Sequence, residues 1–110
     1  MVKLDKHEEA IEKFEKAVKY KPDYAEAWCN WGTILARLGK HEEAIEKFEK
    51  AVKCKPSFAE AWYNWGFALE NIGQQEDALE KYKKALKHKP DLASARNNLN
   101  KLLTAQQQDC

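Results

Sequence analysis

Apolar residues along this chain fall at helical spacing, in short stripes separated by polar faces and turn residues. Trp28, Trp31, Gly32 and Leu35 stand at i, i+3, i+4 and i+7, which places them on one side of a helix. Gly39 follows Leu38 and suits the left-handed position that closes a helix. A second stripe, Ala44, Ile45, Phe48, Ala51 and Val52, predicts another amphipathic helix. Lys53 and Lys55 favour the negative end of its dipole, and Pro56 prevents it from continuing. Its polar face carries Glu43–Lys47, Glu46–Lys50 and Glu49–Lys53. In each pair the acid precedes the base at i, i+4, the better orientation, contributing a few tenths of a kcal/mol.

The pattern then returns. Ala25-Glu26-Ala27-Trp28 reappears 34 residues later as Ala59-Glu60-Ala61-Trp62. Asn30-Trp31-Gly32 becomes Asn64-Trp65-Gly66, and Gly39 becomes Gly73. Ala44, Phe48, Ala51 and Pro56 become Ala78, Tyr82, Ala85 and Pro90. A fixed period of this size means stacked units. Neither helix of a unit can bury its stripe alone, so successive units must pack on one another. Gly32 and Ala44, with Gly66 and Ala78, remove bulk where antiparallel helices cross. Trp28, Trp31, Phe48 and Tyr82 are expected to fill the volume alongside.

These residues closely resemble the tetratricopeptide repeat, whose units pair a large residue, a packing glycine, two alanines, an aromatic and a closing proline. Trp28, Gly32, Ala44, Phe48, Ala51 and Pro56 fit one copy; Trp62, Gly66, Ala78, Tyr82, Ala85 and Pro90 fit the next. Trp31 and Trp65 depart from the usual Leu. The resemblance implies an all-α fold of tandem antiparallel helix pairs, stacked as a short right-handed solenoid with a C-terminal closing helix. The organisation expected is an incomplete first repeat over 1–24, full repeats over 25–58 and 59–92, and a closing helix with a frayed tail over 93–110.

In that family the first helices of successive units line a concave groove that holds a peptide. Carried over, the groove takes Glu26, Cys29, Asn30, Thr33 and Arg37 from one unit. Glu60, Tyr63, Asn64, Phe67 and Asn71 come from the next, and Asn97, Asn98 and Lys101 from the closing helix. Asn30, Asn64 and Asn98 form a ladder at the repeat spacing, and each amide offers the donor and acceptor that a peptide backbone needs. Bracing of their own units by these amides is the equal alternative. Tyr63 and Phe67 supply an apolar contact of the kind that anchors interfaces. Relatives that grip C-terminal carboxylates use a clamp of Lys, Arg and Asn. Glu26, Cys29, Glu60 and Tyr63 at the corresponding places disfavour one here.

The ends differ from the middle. Residues 6–22 and 40–56 are both 17 residues long and differ only at Tyr20 against Cys54. The first segment is therefore a second helix without its first, because residues 1–5 are too few for three or four turns. Its stripe, Ala10, Ile11, Phe14, Ala17 and Val18, lacks a cover helix, against the rule that terminal repeats present polar faces. Either the chain is cut from a longer array or another chain covers the stripe. Self-association through this helix is expected, since a self-complementary apolar face commonly makes a two-fold dimer. At the other end, residues 93 to about 105 read as a closing helix. Leu99, Leu102 and Leu103 cover the last pair, and Asn100 replaces the packing glycine.

Composition narrows the function. The 110 residues contain 44% hydrophobic side chains, enough for a core. Nineteen basic and 18 acidic residues leave a formal charge of +1, which gives no drive toward nucleic acid. No apolar run is long enough to span a bilayer, and the N-terminus lacks the apolar stretch of a secretory signal. Cys29, Cys54 and Cys110 form neither a disulfide framework nor a zinc pair, consistent with a cytoplasmic setting. The terminal Cys110 is expected to be exposed and prone to cross-linking. No nucleophile–base constellation, phosphate loop or metal motif is present. His7 and His41 share a repeat position and read as a duplicated surface residue, with no second ligand at helical spacing. The Lys-x-Lys-Pro endings read as helix-end charge complementarity. The expectation is a non-catalytic protein–protein interaction module with a peptide or protein partner, no cofactor and no metal. A self-assembling homo-oligomer and an accessory segment of a larger enzyme are the alternatives.

Overall fold

The computed structural model describes residues 2–108. It contains six helices in chain order: α1 (Val2–Tyr20), α2 (Ala25–Arg37), α3 (His41–Cys54), α4 (Ala59–Asn71), α5 (Gln75–His88) and α6 (Ala93–Gln108). There is no strand among the described residues. The fold is an all-α helical-repeat solenoid. The pairs α2–α3 and α4–α5 pack most extensively, α3 packs on α4, and α1 and α6 pack on the two ends. Helix α1 begins at Val2, earlier than the stripe beginning at Ala10 suggests. Helix α6 runs three residues beyond the end expected near 105. Asp109 and Cys110, with the expected cross-linking thiol, lie outside the described residues.

Each pair turns on its glycine. Gly39 and Gly73 adopt φ of 82° and 87°, the left-handed region that only glycine enters without strain. The Gly39 N–H donates to the Ala36 carbonyl (3.0 Å), and the Lys40 N–H reaches back to Leu35 (2.9 Å). Gly73 and Gln74 repeat the arrangement on Glu70 and Leu69 at 3.1 and 2.9 Å. Orphan carbonyls at the helix end are satisfied in this way, and the chain reverses direction.

The helix crossings use the other two glycines. A Cβ built on Gly32 would lie 2.6 Å from Phe48 Cε1. One on Gly66 would lie 2.8 Å from the Tyr82 ring and 3.2 Å from the Ala78 carbonyl oxygen. The aromatic therefore sits in a notch, with Ala44, Ala51, Ala78 and Ala85 fully buried beside it. Phe48 and Tyr82 are the largest side chains completely removed from water. Two apolar clusters result, one around Phe48 between α2, α3 and α4, the other around Tyr82 and reaching Leu102 of α6.

The tryptophans depart from the sequence reading. All four are only half-buried. Trp28 stacks on Trp31, and Trp62 on Trp65, each with ring centroids 5.5 Å apart. Lysines of the following helix roof the rings. Lys47 Nζ lies 4.1 Å from the Trp31 centroid and Lys50 Nζ 5.3 Å from that of Trp28. Lys81 and Lys84 do the same for Trp65 and Trp62 at 4.2 and 4.9 Å. The indoles pack as expected but on the flank of the crossing, where a cation covers an aromatic face and its methylenes shield it from water.

A second device joins neighbouring units. Trp28 Nε1–H donates to the Pro22 carbonyl (2.8 Å) and Trp62 Nε1–H to that of Pro56 (2.7 Å). In α6 the equivalent residue is Arg96, whose Nη2 donates to the Pro90 carbonyl at 2.6 Å. Proline ends one helix and exposes its own carbonyl, and the large residue one turn into the next helix clasps it.

Candidate functional site

The first helices of the units lie side by side, and their amides stitch them together. Asn64 Nδ2 lies 3.5 Å from Cys29 Sγ across the α4–α2 seam. Asn98 Nδ2, one unit on, lies 3.4 Å from Tyr63 Oη across the α6–α4 seam and 3.4 Å from Tyr82 Oη. Both contacts join an Asn to the residue 35 positions earlier. Asn64 and Asn98 are half-buried, while Asn30 is exposed. The second and third rungs of the amide ladder thus bridge adjacent units, a role distinct from bracing their own.

Cys29 does not line the surface as the sequence suggested. It is buried among the residues around Phe48, because a short side chain at this place sinks beneath Asn64. Tyr63, its counterpart, is too large to do so and stays half-exposed. Burial, opposed by the Asn64 contact, pushes the Cys29 thiol up to about 11. Thr33 is also committed inward, its hydroxyl donating to the Cys29 carbonyl at 3.0 Å.

Between α2, α3 and α4 lies a recess of about 320 Å³. Thr33, Arg37, Tyr63, Asn64 and Phe67, all anticipated from the sequence, line it. Ala36, His41 and Phe48 complete it, and repeat position alone did not mark them. Phe48 forms the buried side. Tyr63 and Phe67 stack at 6.2 Å and make a wall, and Phe67 keeps 47% of its surface exposed. Arg37 is exposed at the rim. His41 is half-buried, not a plain surface residue, and its Nδ1 is shielded from water without a hydrogen-bond partner. The His7 Nδ1 is shielded in the same way.

The remaining candidates lie elsewhere. Glu60 pairs with Lys89 at 3.0 Å, and the hydrogen bond from Lys89 holds its carboxyl below the usual carboxylate range. Asn71 Nδ2 donates to the Phe67 carbonyl at 2.9 Å. Lys101 borders a separate shallow depression on α6 with Asn100, Thr104 and Ala105. Glu26 and Asn97 are exposed and outside the recess. Among the described residues no group of three His, Cys, Asp or Glu stands close enough to hold a metal ion, and no helix is long and apolar enough to cross a membrane.

Beneath the wall, the Tyr82 hydroxyl donates to Glu70 Oε1 at 2.7 Å. Burial and that carboxylate raise the phenol well above its usual range. The preceding unit has Phe48 and Ala36 at these two places, so hydroxyl and carboxylate occur together or not at all. Sequence inspection pair by pair, not column by column, would have found this.

Two family models match the chain. One, described as TPR repeat, matches residues 2–39 and 32–73; the other, described as Tetratricopeptide repeat, matches 59–92. No curated protein matches the chain in sequence. Solved structures do. The first TPR of Spaghetti (RPAP3), bound to the HSP90 peptide SRMEEVD, is 27% identical. It matches over 96% of this chain and 83% of its own, with a TM-score of 0.88. The first TPR domain of the human RPAP3 protein is 26% identical over 97% and 84%, with the same TM-score. YrrB, described as a TPR protein with an unusual peptide-binding site, is 31% identical over 87% of this chain and 50% of its own, with a TM-score of 0.78. The present chain therefore spans about half of YrrB.

Proposed function

The chain belongs to the tetratricopeptide repeat family, and on that premise we propose that it is a non-catalytic interaction module. It binds a peptide segment along α2, α4 and α6 and acts as a scaffold or adaptor. The observation that carries this reading is the recess beside the Tyr63–Phe67 stack. It is large enough for one apolar side chain, open at Phe67, and flanked by the Arg37 guanidinium. Ligand sites are concave and mostly apolar with a few placed polar groups, and partly exposed aromatics are the usual anchors. The solved relatives whose descriptions name a peptide or a peptide-binding site support the class of partner.

The mode of grip differs from a carboxylate clamp. Glu26 and Glu60 stand where such a clamp needs cations, Cys29 is buried, and Lys89 is engaged by Glu60. An internal peptide segment, held by an apolar side chain in the recess and by its backbone on the exposed amide of Asn30, fits better. Phage-displayed peptides selected on the intact chain test this. Selected peptides are expected to lose about tenfold or more in affinity for Phe67→Ala, the effect of removing one good anchor, and the peptide SRMEEVD is expected to bind poorly. Selection of peptides indifferent to Phe67→Ala and to Arg37→Ala overturns the site. Tight, carboxylate-dependent binding of SRMEEVD overturns the mode.

A further inference from the structure

The recess beside the Tyr63–Phe67 stack is apolar over most of its lining, with Phe48 and Ala36 beneath and the two rings at the side. Most of its polar atoms are committed. The Thr33 hydroxyl donates to the Cys29 carbonyl, and the Asn64 amide nitrogen lies against Cys29 Sγ. The orphaned His41 Nδ1 has a twin in His7, so it belongs to the start of a second helix and not to recognition. Arg37 is the exception. Among the described residues the ion pair is Lys89–Glu60, and Arg37 has none. Its neighbours one helical turn away, Thr33, Ile34, Lys40 and His41, include no acid.

A cation in the last turn of a helix complements the dipole, and Arg37 stands in the last turn of α2. That does not account for it, because α4 ends in the same way with no basic residue in its last turn. The counterpart of Arg37 is Asn71, which turns back to the Phe67 carbonyl at 2.9 Å. The residue before it changes in the opposite sense, Ala36 becoming Glu70. The end of α2 thus carries a cation without an acid, and the end of α4 an acid without a cation.

We propose that the recess selects a segment of another protein in which a large apolar residue is accompanied by Asp or Glu at the next residue but one. The apolar side chain enters between Phe48 and Phe67, and the carboxylate pairs with Arg37. This rests on the peptide-binding reading and gives it a sequence preference. In an extended chain alternate residues share a face at roughly 7 Å, so the side chain two along from the anchor returns to the same surface. A guanidinium offers a carboxylate two parallel N–H bonds. Arg37 is the one permanently charged side chain lining the recess. A phosphoryl group carries about −1.5 to −2 at neutral pH and would stay half neutralised there, so the fit is to a carboxylate. An exposed ion pair alone adds little. The selection comes as much from rejection, because Lys or Arg at that place would meet a like charge beside the aromatic wall.

Short random peptides displayed between two constant segments, so that no free terminus takes part, test this. They are selected in parallel on the intact chain and on the intact chain carrying Arg37→Glu. Both pools are expected to keep the apolar anchor and to weaken on Phe67→Ala. The acid of the first pool should become Lys or Arg in the second. With its acid replaced by Lys, the leading peptide should bind the unaltered chain about tenfold more weakly and recover on Arg37→Glu. Phosphoserine in place of the acid should bind no tighter; binding about tenfold tighter marks a phosphate reader and overturns the proposal. An acid in both pools alike, or in neither, also overturns it, while dependence on Phe67 leaves the interaction-module reading standing. Pools indifferent to Phe67→Ala, or no enrichment at all, remove that reading and the proposal with it. Circular dichroism checks that Arg37→Glu keeps its helices. If it does not, Arg37→Gln takes its place, and on it the preference for an acid should vanish.

Discussion

Gly32→Ala isolates the geometry on which the fold depends. In an open helix interior this substitution stabilises by about 1 kcal/mol, because alanine loses less backbone freedom on folding. Here the new methyl lands 2.6, 2.9 and 3.0 Å from three atoms of the Phe48 ring, against the 3.5–4.0 Å at which carbons normally rest. The ring is 1% exposed and packed in one cluster with the fully buried Ala44 and Ala51, so α2 and α3 must separate by something near 1 Å. Overpacking of this sort costs roughly 1–3 kcal/mol. The net loss expected is about 1 kcal/mol, lowering the melting temperature by roughly 5 °C in a domain of this size. The decisive comparison is the same substitution beside Phe48→Leu, which shortens the side chain in the notch. There Gly32→Ala should become neutral or stabilising, a coupling of about 1 kcal/mol or more. Urea unfolding followed by circular dichroism and by tryptophan fluorescence reads both backgrounds. Stabilisation of the otherwise unaltered chain by Gly32→Ala, or an equal effect in the two backgrounds, refutes the claim that the crossing is limited by glycine.

Three further outcomes follow from contacts described above. A double-mutant cycle on Tyr82→Phe and Glu70→Ala should give a coupling of about 1.5 kcal/mol, the lower end of the range for hydrogen bonds to charged groups because Glu70 is half-exposed, and additive losses would remove the bond from the account. Iodoacetamide at pH 8 should label partly exposed Cys54 well before buried Cys29, as read by peptide mass mapping. The folded Cys29 thiol also holds its proton more tightly than the ordinary value of 9.0, so its contribution to stability is complete below about pH 9 and is lost as pH rises toward about 11. Lys89→Ala should return the Glu60 carboxyl toward its ordinary range in an NMR titration. Because Glu60 is depressed when folded, the destabilisation should be present at neutral pH and disappear as acid protonates Glu60; an unmoved titration would show that the pair does not persist in solution.

The period, the helix boundaries near Gly39, Gly73, Pro56 and Pro90, and the notches at Gly32 and Gly66 were legible because each rests on a local or repeated constraint. Five of the eight residues lining the recess were legible too, and Tyr63 and Phe67 among them differ from Cys29 and Thr33 at positions that otherwise repeat. What escaped was relational. Cys29 shares a repeat position with Tyr63, yet sinks while Tyr63 stays out, since the outcome depends on side-chain size against the Asn of the next unit. The tryptophans were expected to fill the volume beside the helix crossing, and they flank it half-buried instead. Their lysine roofs were visible only by setting Trp-x-x-Trp of one helix beside Lys-x-x-Lys of the next. The bridging role of Asn64 and Asn98 runs at a spacing of 35, one step off the sequence period.

The clasp from Trp28, Trp62 and Arg96 to the proline carbonyls ties each unit to the next at a repeated point, with an indole or a guanidinium as its donor. Curvature in such a stack accumulates from small per-unit rotations. Each clasp is thus a tuning peg for the width of the surface on α2, α4 and α6, though none of its three donors belongs to the recess. Under the proposed peptide-binding function, selectivity becomes adjustable by residues that never touch a ligand, and the seam of prolines is where that adjustment would be made.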